Sequence, residues 1–366
     1  MSDTIGLYIH IPFCRSKCPY CDFFSLRGNE SDYSSYVELL KSKIEIWGKK
    51  IKKKVDTIYF GGGTPSVLGA EYICDVLSYI KNYFEVYDDA EITLEVNPAS
   101  GKFFDFAAVK KHGVNRISLG LQSANDNELK LLGRIHSIDD VNNTLSLIKN
   151  SGIDNISLDL MLGIPEQTKE SLKRSIDFCA ESGVTHISSY ILKIEDGTIF
   201  DKRREQYKFP DEDTTADLYL FAVEYLSAKG FKQYEISNFS QSGFESRHNL
   251  KYWNLDDYLG IGPAAHSCVD EKRFYYNRSI ENFKNDVIVD DGTGATSEEY
   301  ILLQLRLSKG INIEKYKEVY GESLPTDFYK KIDKYCKLGL MNQDKNSVSF
   351  TPRGFLVSNS IIADLI

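Results

Sequence analysis

The sequence predicts an α/β fold in which parallel strands alternate with helices, with a smaller module at the C-terminal end. Six short segments rich in β-branched and aromatic residues have the composition of strands. In chain order they are GLYIHI, VDTIYF, EITLEV, RISLGL, NISLDLML and HISSYIL. Six βα units in succession imply a parallel sheet with crossover helices. Because six units are too few for a closed eight-stranded barrel, the sheet is either an open partial barrel or doubly wound.

Amphipathic segments lie between these strands and have the spacing of helices that cover one face of a sheet. Several of them end at glycine, a common signal for the end of a helix. In chain order they are YSSYVELLKSKIEIW, YICDVLSYIKNYF, FFDFAAVKKHG, DDVNNTLSLIKNSG and ESLKRSIDFCAESG.

The pattern changes after about residue 200. The segment DTTADLYLFAVEYLSAKG predicts a helix, and an irregular segment rich in asparagine, glycine, histidine and aromatic residues follows it. A linker near DDGTGATSEE leads to a small helical unit that ends in a predicted hairpin, LGLMNQDKNSVSFTPRGF. This unit is winged-helix-like but has no basic recognition helix, so we interpret it as a packing or interaction element. The predicted domains are therefore a core (1–200), an extension (201–292) and a C-terminal domain (293–366).

Composition and charge argue against several classes of protein. The chain has 366 residues and a net charge of −9, which disfavours nucleic acid as its main partner. No apolar run approaches the ~18–20 residues that a membrane helix needs, and we find no signal peptide. We therefore expect a cytoplasmic protein with reduced cysteines. The basic run from Lys49 to Lys54 is interpreted as a solvated helix end, the alternative being a docking patch for a membrane surface or an acidic partner. The sequence leaves open whether the chain forms a homodimer.

Three of the seven cysteines lie within eight residues, at the end of the first predicted strand. Cys14, Cys18 and Cys21 have the spacing C-x3-C-x2-C, whereas structural zinc sites and ferredoxin-type clusters normally use four protein ligands. His10 offers a fourth ligand for zinc in principle, but we interpret it as structural. Three thiolates on one loop suit a four-iron cluster whose fourth iron is open to a small molecule. The spacing is that of the radical S-adenosylmethionine (SAM) signature.

Polar residues and glycines occur at the carboxyl ends of the following predicted strands, where ligands bind in parallel α/β folds. The turn GGGTP (Gly61 to Pro65) lets a backbone approach a ligand and offers N–H donors to the carboxylate of SAM. Glu95 is placed to accept a hydrogen bond from the SAM amino group or a ribose hydroxyl. Gln122, Arg134 and Asp159 are further candidate polar contacts, although Arg134 also fits a surface helix position. No residue is assigned a catalytic role.

Five segments resemble the oxygen-independent coproporphyrinogen III oxidase (HemN) family: YIHIPFCRSKCPYCDF, YFGGGTPS, EITLEVNP, RISLGLQS and NISLDLMLGIP. The resemblance covers nearly the whole chain. It implies a radical SAM partial (βα)6 barrel with a C-terminal accessory domain, a 4Fe-4S cluster and SAM. Three residues match positions that contact the cluster-bound SAM: Tyr8, Gly62 and Glu95. Six match positions assigned to a second SAM: Tyr20, Gly63, Thr64, Gln122, Arg134 and Asp159.

Two departures from the oxidase pattern indicate the heme chaperone branch of that family. Phe23 stands where the oxidases have a further cysteine, and the chain begins only seven residues before Tyr8, without their N-terminal cover. The segment RHNLKYW also supplies the branch's H-N-x-x-Y-W motif. The resemblance thus implies heme binding and delivery to recipient heme proteins, respiratory membrane enzymes among them. The alternatives are coproporphyrinogen III oxidation and radical chemistry on another tetrapyrrole.

His248 is the candidate heme contact within this motif. Neutral imidazole is a common axial ligand of heme iron. Tyr252 and Trp253 follow closely and offer flat apolar surface for a porphyrin. Of the remaining histidines, His266 has the most comparable surroundings and is the second candidate.

Overall fold

The structure, a computed structural model, describes residues 3–366. Its first part alternates strands and helices as predicted. The strands are β1 (Thr4–Ile11), β2 (Lys54–Gly62), β3 (Val86–Val96), β4 (Arg116–Gln122), β5 (Asn155–Leu162) and β6 (His186–Ile191). The helices between them are α1 (Glu30–Lys50), α2 (Ala70–Tyr83), α3 (Pro98–Gly101), α4 (Phe106–Lys111), α5 (Asp126–Leu131), α6 (Ile138–Asn150) and α7 (Lys169–Glu181), with a 3-10 turn at Pro65–Val67.

The order of these strands decides between the two predicted architectures. Strands β1 to β6 lie side by side in chain order and all run parallel. A doubly wound sheet reverses its strand order at a switch point, whereas right-handed crossovers that always proceed in one direction place every helix on the same face. The α/β class and the partial barrel of six βα units are therefore confirmed. The barrel stays open, because β1 and β6 pair with later strands rather than with each other.

Local sequence signals explain where the outer helices begin. Asn29, Ser137 and Thr168 each cap a helix with the side chain and form a capping box with the residue three positions on. Along the barrel wall, α1 packs against α2 and α2 packs against α4, so that successive crossover helices lie side by side. The apolar faces of these helices and strands form one continuous core.

The segment after β6 extends the sheet at both edges. It comprises α8 (Ile199–Lys202), a 3-10 turn (Arg204–Gln206), α9 (Glu212–Ala228), β7 (Lys232–Gln233), β8 (Asn238–Ser240), α10 (Arg247–Asn254), β9 (Tyr258–Ile261), β10 (His266–Val269), β11 (Lys272–Tyr276), α11 (Ile280–Lys284) and β12 (Ile288–Thr293). Strand β8 pairs antiparallel with β6, while β9 pairs parallel with β1 and leads to β10, β11 and β12. The predicted boundaries at residues 200 and 292 stay a prediction.

The last part forms a small α+β unit with its own sheet. Its elements are α12 (Ser297–Gln304), β13 (Ile311–Asn312), α13 (Ile313–Tyr320), α14 (Thr326–Lys337), β14 (Met341–Gln343), β15 (Ser347–Phe350), α15 (Pro352–Leu356) and α16 (Ser358–Leu365). Strands β14 and β15 form the predicted hairpin, and β13 pairs with the other side of β15. This is the winged-helix-like unit expected from the sequence. Within residues 3–366, none of the helices combines the length and the apolar character required to traverse a bilayer.

Candidate functional site

A cavity of about 280 Å³ opens at the carboxyl ends of the parallel strands. It brings together most of the residues that the sequence singles out. Eleven of them line it: Cys14, Cys18, Tyr20, Cys21, Gly62, Gly63, Thr64, Glu95, Gln122, Arg134 and Asp159. Tyr8 lines an adjoining cavity instead, and His248 lies in the wall behind it. We refer to the first cavity as the thiol cavity.

Alternate residues of three neighbouring strands face the thiol cavity. They are Arg116, Ser118, Gly120 and Gln122 on β4, Ser157 and Asp159 on β5, and His186, Ser188 and Tyr190 on β6. The residues between them, such as Ile117 and Leu119, are buried in the core. Successive side chains of a strand point to opposite faces, so the polar set lines the barrel interior and the apolar set faces the helices. Arg116 and Tyr190 were missed by the sequence analysis, although this alternation was the signal that marks them.

The three cysteines lie on a loop that closes on itself. The Leu26 amide donates to the Pro12 carbonyl (2.6 Å), and the Cys14 amide donates to the Leu26 carbonyl (2.9 Å). All three thiols are half-buried, and burial raises the pKa of Cys14 and of Cys21. Within residues 3–366 no three histidine, cysteine or acidic side chains are grouped as ligands of one ion. The donor set fits an iron–sulfur cluster, because thiolates are the usual ligands of such clusters and metal binding drives thiol deprotonation.

Two polar side chains touch these thiols from opposite sides. The Thr64 hydroxyl lies 3.3 Å from the Cys14 sulfur, and Arg134 Nη1 lies 3.6 Å from the Cys18 sulfur. Arg134 also donates from Nη2 to the Gly120 carbonyl (3.0 Å), and its Nη1 lies 3.5 Å from the Tyr20 hydroxyl. The surface-helix alternative for Arg134 is thus wrong: the guanidinium spans the cavity between the cysteine loop and β4.

The glycine-rich turn after β2 packs directly beneath the cysteine loop. Gly62 has a φ of +111°, and the Gly63 amide donates to the Ile11 carbonyl (2.8 Å). A Cβ atom on Gly63 would lie 2.7 Å from the Phe13 carbonyl oxygen and 3.0 Å from the Ile11 carbonyl oxygen. Backbone atoms cannot give way as a flexible side chain can, so only glycine allows the turn to approach the loop this closely.

We expect Gly63→Ala to reduce both stability and iron loading, because the added methyl group separates the turn from the cysteine loop. Overpacking of this kind costs about 1–3 kcal/mol. Iron content after anaerobic reconstitution and the urea midpoint measure the two effects. Gly152→Ala is the control: its φ is +81° but no atom lies within 4 Å of the new Cβ. It should lose about 1–2 kcal/mol through backbone strain and keep its iron. Equal iron contents in the two variants would contradict the prediction.

Two half-buried carboxyl groups face the thiol cavity, and within residues 3–366 neither has a salt-bridge partner. The Tyr59 hydroxyl donates to Glu95 Oε1 (2.8 Å), and the Ser118 hydroxyl donates to Asp159 Oδ1 (3.1 Å). Burial raises the pKa of Glu95 to about 7 and that of Asp159 to about 6. A cationic ligand group stabilises the charged form of such carboxyl groups, so the cavity suits a ligand with a positive charge. SAM, with its ammonium and sulfonium groups, is a ligand of this kind.

A second and larger cavity, of about 790 Å³, adjoins the first. Its walls are mainly aromatic, and we call it the aromatic cavity. Phe23, Gly62 and Glu95 line both cavities, so the two share a wall. Tyr8 lines the aromatic cavity with its ring stacked against Tyr59, the centroids 6.2 Å apart.

Two histidines at the aromatic cavity have structural partners: His10 lines the cavity, and His248 lies behind its wall. His10 Nδ1 lies 3.0 Å from the Tyr8 hydroxyl and Nε2 lies 3.2 Å from the Phe24 carbonyl oxygen, so His10 joins β1 to the cysteine loop. His248 is fully buried; its Nδ1 lies 2.8 Å from the Thr57 hydroxyl and its Nε2 lies 2.8 Å from the Tyr252 hydroxyl. The predicted contact between His248 and heme stays a prediction. In this conformation both ring nitrogens are held by the protein.

Comparison with known proteins assigns the chain to a family. The radical SAM superfamily matches residues 8–179, and the HemN C-terminal domain matches residues 297–357. The heme chaperone HemW of Lactococcus lactis is 32% identical over 97% of this chain and 95% of its own length. The heme chaperone HemW of Bacillus subtilis is 32% identical over 97% of both chains. The chain belongs to the heme chaperone HemW family.

A solved structure supports the fold of this HemW-family chain. The coproporphyrinogen III oxidase (HemN) of Escherichia coli, a radical SAM enzyme, superposes with a TM-score of 0.84 over 99% of this chain and 89% of its own. At 20% identity this match shows the fold alone. The radical SAM match implies a 4Fe-4S cluster and SAM, and the thiol cavity offers three thiols, a close-packed glycine turn and two half-buried carboxyl groups for them.

Proposed function

We propose that this chain is a heme chaperone, which binds a 4Fe-4S cluster, SAM and heme and passes the heme to recipient heme proteins. The observation that carries the proposal is the pair of adjoining cavities, one lined by thiols and the other by aromatic rings. A tetrapyrrole is a large apolar disc with a polar edge, and a wide aromatic cavity suits it. The names of the HemW relatives support the same function.

In this proposal Cys14, Cys18 and Cys21 hold the cluster, and the chain positions SAM beside it. Glu95 accepts a hydrogen bond from the SAM amino group, while the glycine turn at Gly62 lets the methionine part of SAM approach the cluster. When bound, the cluster supplies a low-potential electron to SAM. The remaining predicted contacts also line the thiol cavity and would serve a second SAM: Tyr20, Gly63, Thr64, Gln122, Arg134 and Asp159.

We further propose a cytoplasmic location and recipients that include membrane respiratory enzymes. All seven cysteines are free thiols, which suits a reducing compartment. The basic run is a weak candidate for a membrane patch, since three of its five lysines pair with carboxylates of the protein. Lys49 pairs with Glu45, Lys54 with Glu85, and Lys53 with Asp257 and Asp270. We therefore expect the contact with a recipient, and any peripheral contact with a membrane or contact between two copies, to use another surface.

One preparation tests the proposal against the oxidase alternative. We expect anaerobically reconstituted protein to bind heme, seen as a Soret band that persists through gel filtration, and not to convert coproporphyrinogen III to protoporphyrinogen IX. The physical reason is Phe23, which is 67% exposed between the two cavities where the oxidases carry a further cysteine. Sustained turnover of coproporphyrinogen III by the reconstituted protein, followed by product fluorescence after oxidation, would overturn the chaperone assignment.

A further inference from the structure

We propose that heme binds in the aromatic cavity and that the imidazole of His266 is the ligand of its iron. This inference rests on the proposed heme chaperone function and assigns that function a place in the structure. His266 begins β10 and lies opposite Tyr275 of β11, at the wall of the cavity.

The cavity has the size and the wall chemistry for a porphyrin. Its volume of about 790 Å³ lies within the range of about 300–1,000 Å³ that small-molecule sites occupy. Seven aromatic side chains line it: Tyr8, Phe23, Phe24, Tyr252, Tyr258, Tyr275 and Tyr276. Aromatic walls bury the faces of a flat apolar ring, and the tyrosine hydroxyls leave polar atoms for its edge.

His266 differs from the other histidines in its hydrogen bonds. Each of the others has at least one ring nitrogen within hydrogen-bonding distance of a protein oxygen: His10, His112, His136, His186 and His248. The ring of His266 has no such partner in the part of the chain that the structure describes; it stacks on Tyr275 with the centroids 4.8 Å apart. His266 is exposed at the cavity wall, and partial desolvation there lowers its pKa, which favours the neutral imidazole that a metal requires.

The rim of the cavity carries a cation suited to the acidic edge of heme. Arg278 lines the cavity, and its exposed guanidinium pairs with Asp22 (3.0 Å) directly after Cys21. Guanidinium binds carboxylates such as the heme propionates in a two-point geometry. Heme seated on Arg278 would therefore lie next to the cysteine loop.

The H-N-x-x-Y-W segment reaches this cavity through Tyr252 rather than through His248. His248 Nε2 lies 2.8 Å from the Tyr252 hydroxyl, and the Tyr252 ring packs edge-on against Tyr258 with the centroids 4.6 Å apart. His248 is thus a positioning residue that fixes one wall. The competing hypothesis is that His248 itself ligates the heme iron. For that, its imidazole would have to leave both of its hydroxyl partners.

Titration of the full-length protein with hemin and with metal-free protoporphyrin IX distinguishes these roles. We expect His266→Gly to weaken hemin binding and to shift the Soret band. The affinity should fall at least about tenfold, because even the loss of a residue that only supports a metal ligand lowers metal affinity by that factor. Added imidazole should restore the wild-type spectrum by filling the vacated position. Protoporphyrin IX should bind this variant as it binds wild type, because the aromatic walls are unchanged. His248→Gln should weaken both porphyrins to a similar extent.

His112→Ala is the matched control, since His112 lies at the end of α4, away from the cavity walls, and should change neither titration. Far-UV circular dichroism checks that each variant is folded. The inference is overturned if His266→Gly keeps the wild-type hemin affinity and Soret position, and a loss confined to hemin in His248→Gln would then identify His248 as the ligand. If wild type binds no hemin, the proposed function falls together with the inference.

Discussion

Replacing Cys14, Cys18 and Cys21 together with alanine should abolish cluster assembly. Wild type should bind about four irons per chain, as expected for a [4Fe–4S] cluster held by three thiolates with one open iron. The triple variant should retain none. Iron and sulfide analysis after anaerobic reconstitution measures the loss. SAM should also perturb the electron paramagnetic resonance spectrum of the reduced wild-type cluster, because we propose that SAM binds in the thiol cavity beside the open iron.

A thiol elsewhere in the chain provides the control for this experiment. Cys336 near the end of α14 is half-buried like the loop cysteines but lies in the C-terminal unit. Cys336→Ala should therefore assemble a complete cluster with an unchanged spectrum. Iron retained at the wild-type level in the triple variant would show that other side chains hold the cluster.

The second large effect concerns Glu95, for which binding and stability should respond in opposite directions. Glu95→Gln should weaken SAM binding, because the neutral amide lacks the charge that pairs with the ligand's ammonium group. The same change should stabilise the ligand-free protein above about pH 7, since burial raises the pKa of Glu95 to about 7. Equilibrium binding of SAM and the free energy of unfolding are the two measurements.

The sign of the pH dependence follows from this raised pKa. Below the ordinary pKa of a glutamate, Glu95 is protonated in both the folded and the unfolded chain, so its ionisation does not change the free energy of unfolding. As the pH rises towards 7 the unfolded chain ionises first, and the folded state loses stability until Glu95 also ionises. The advantage of Glu95→Gln over wild type should therefore grow between about pH 4.5 and 7 and then level off, at most on the order of 3 kcal/mol.

Glu235 separates the effect of burial from the effect on the ligand. Burial also raises its pKa to about 7, and its carboxylate accepts from the Ser237 amide (3.0 Å). Glu235 itself does not line the thiol cavity, although its hydrogen-bond partner Asn238 does. Glu235→Gln should reproduce the pH-dependent gain in stability while SAM affinity stays at the wild-type value. A loss of SAM affinity in this variant, or none in Glu95→Gln, would contradict the role given to Glu95.

Much of the thiol cavity could be predicted because its parts are local in sequence. Parallel strands in chain order bring their carboxyl ends together, so Glu95, Gln122 and Asp159 were expected on one rim with the cysteine loop. The alternation of side chains along β4 and β6 also predicts that Arg116 and Tyr190 face the barrel interior. A prediction from the ends of the strands alone leaves out the residues that the alternation of side chains along each strand marks.

The aromatic cavity could not be predicted, because strands distant in sequence form it. Tyr8 belongs to β1, whereas Tyr258, His266 and Tyr275 belong to β9, β10 and β11, which join the sheet only through the pairing of β9 with β1. The partners of a histidine are equally nonlocal. His248 and His266 both stand near aromatic residues in the sequence. One of the two hydrogen-bond partners of His248, Thr57 in β2, lies far from it in the sequence and becomes its neighbour only in the fold.

If SAM and a tetrapyrrole occupy the two cavities as proposed, the wall that the cavities share makes the binding of one ligand depend on the other. Glu95 and Gly62 form part of both cavities, so a molecule that fixes the charge or position of Glu95 on one side changes the free energy of binding on the other. Such coupling is reciprocal: whatever factor SAM applies to the affinity for a tetrapyrrole, the tetrapyrrole applies to the affinity for SAM. The state of the cofactor can in this way set when the cargo is held and when it is released.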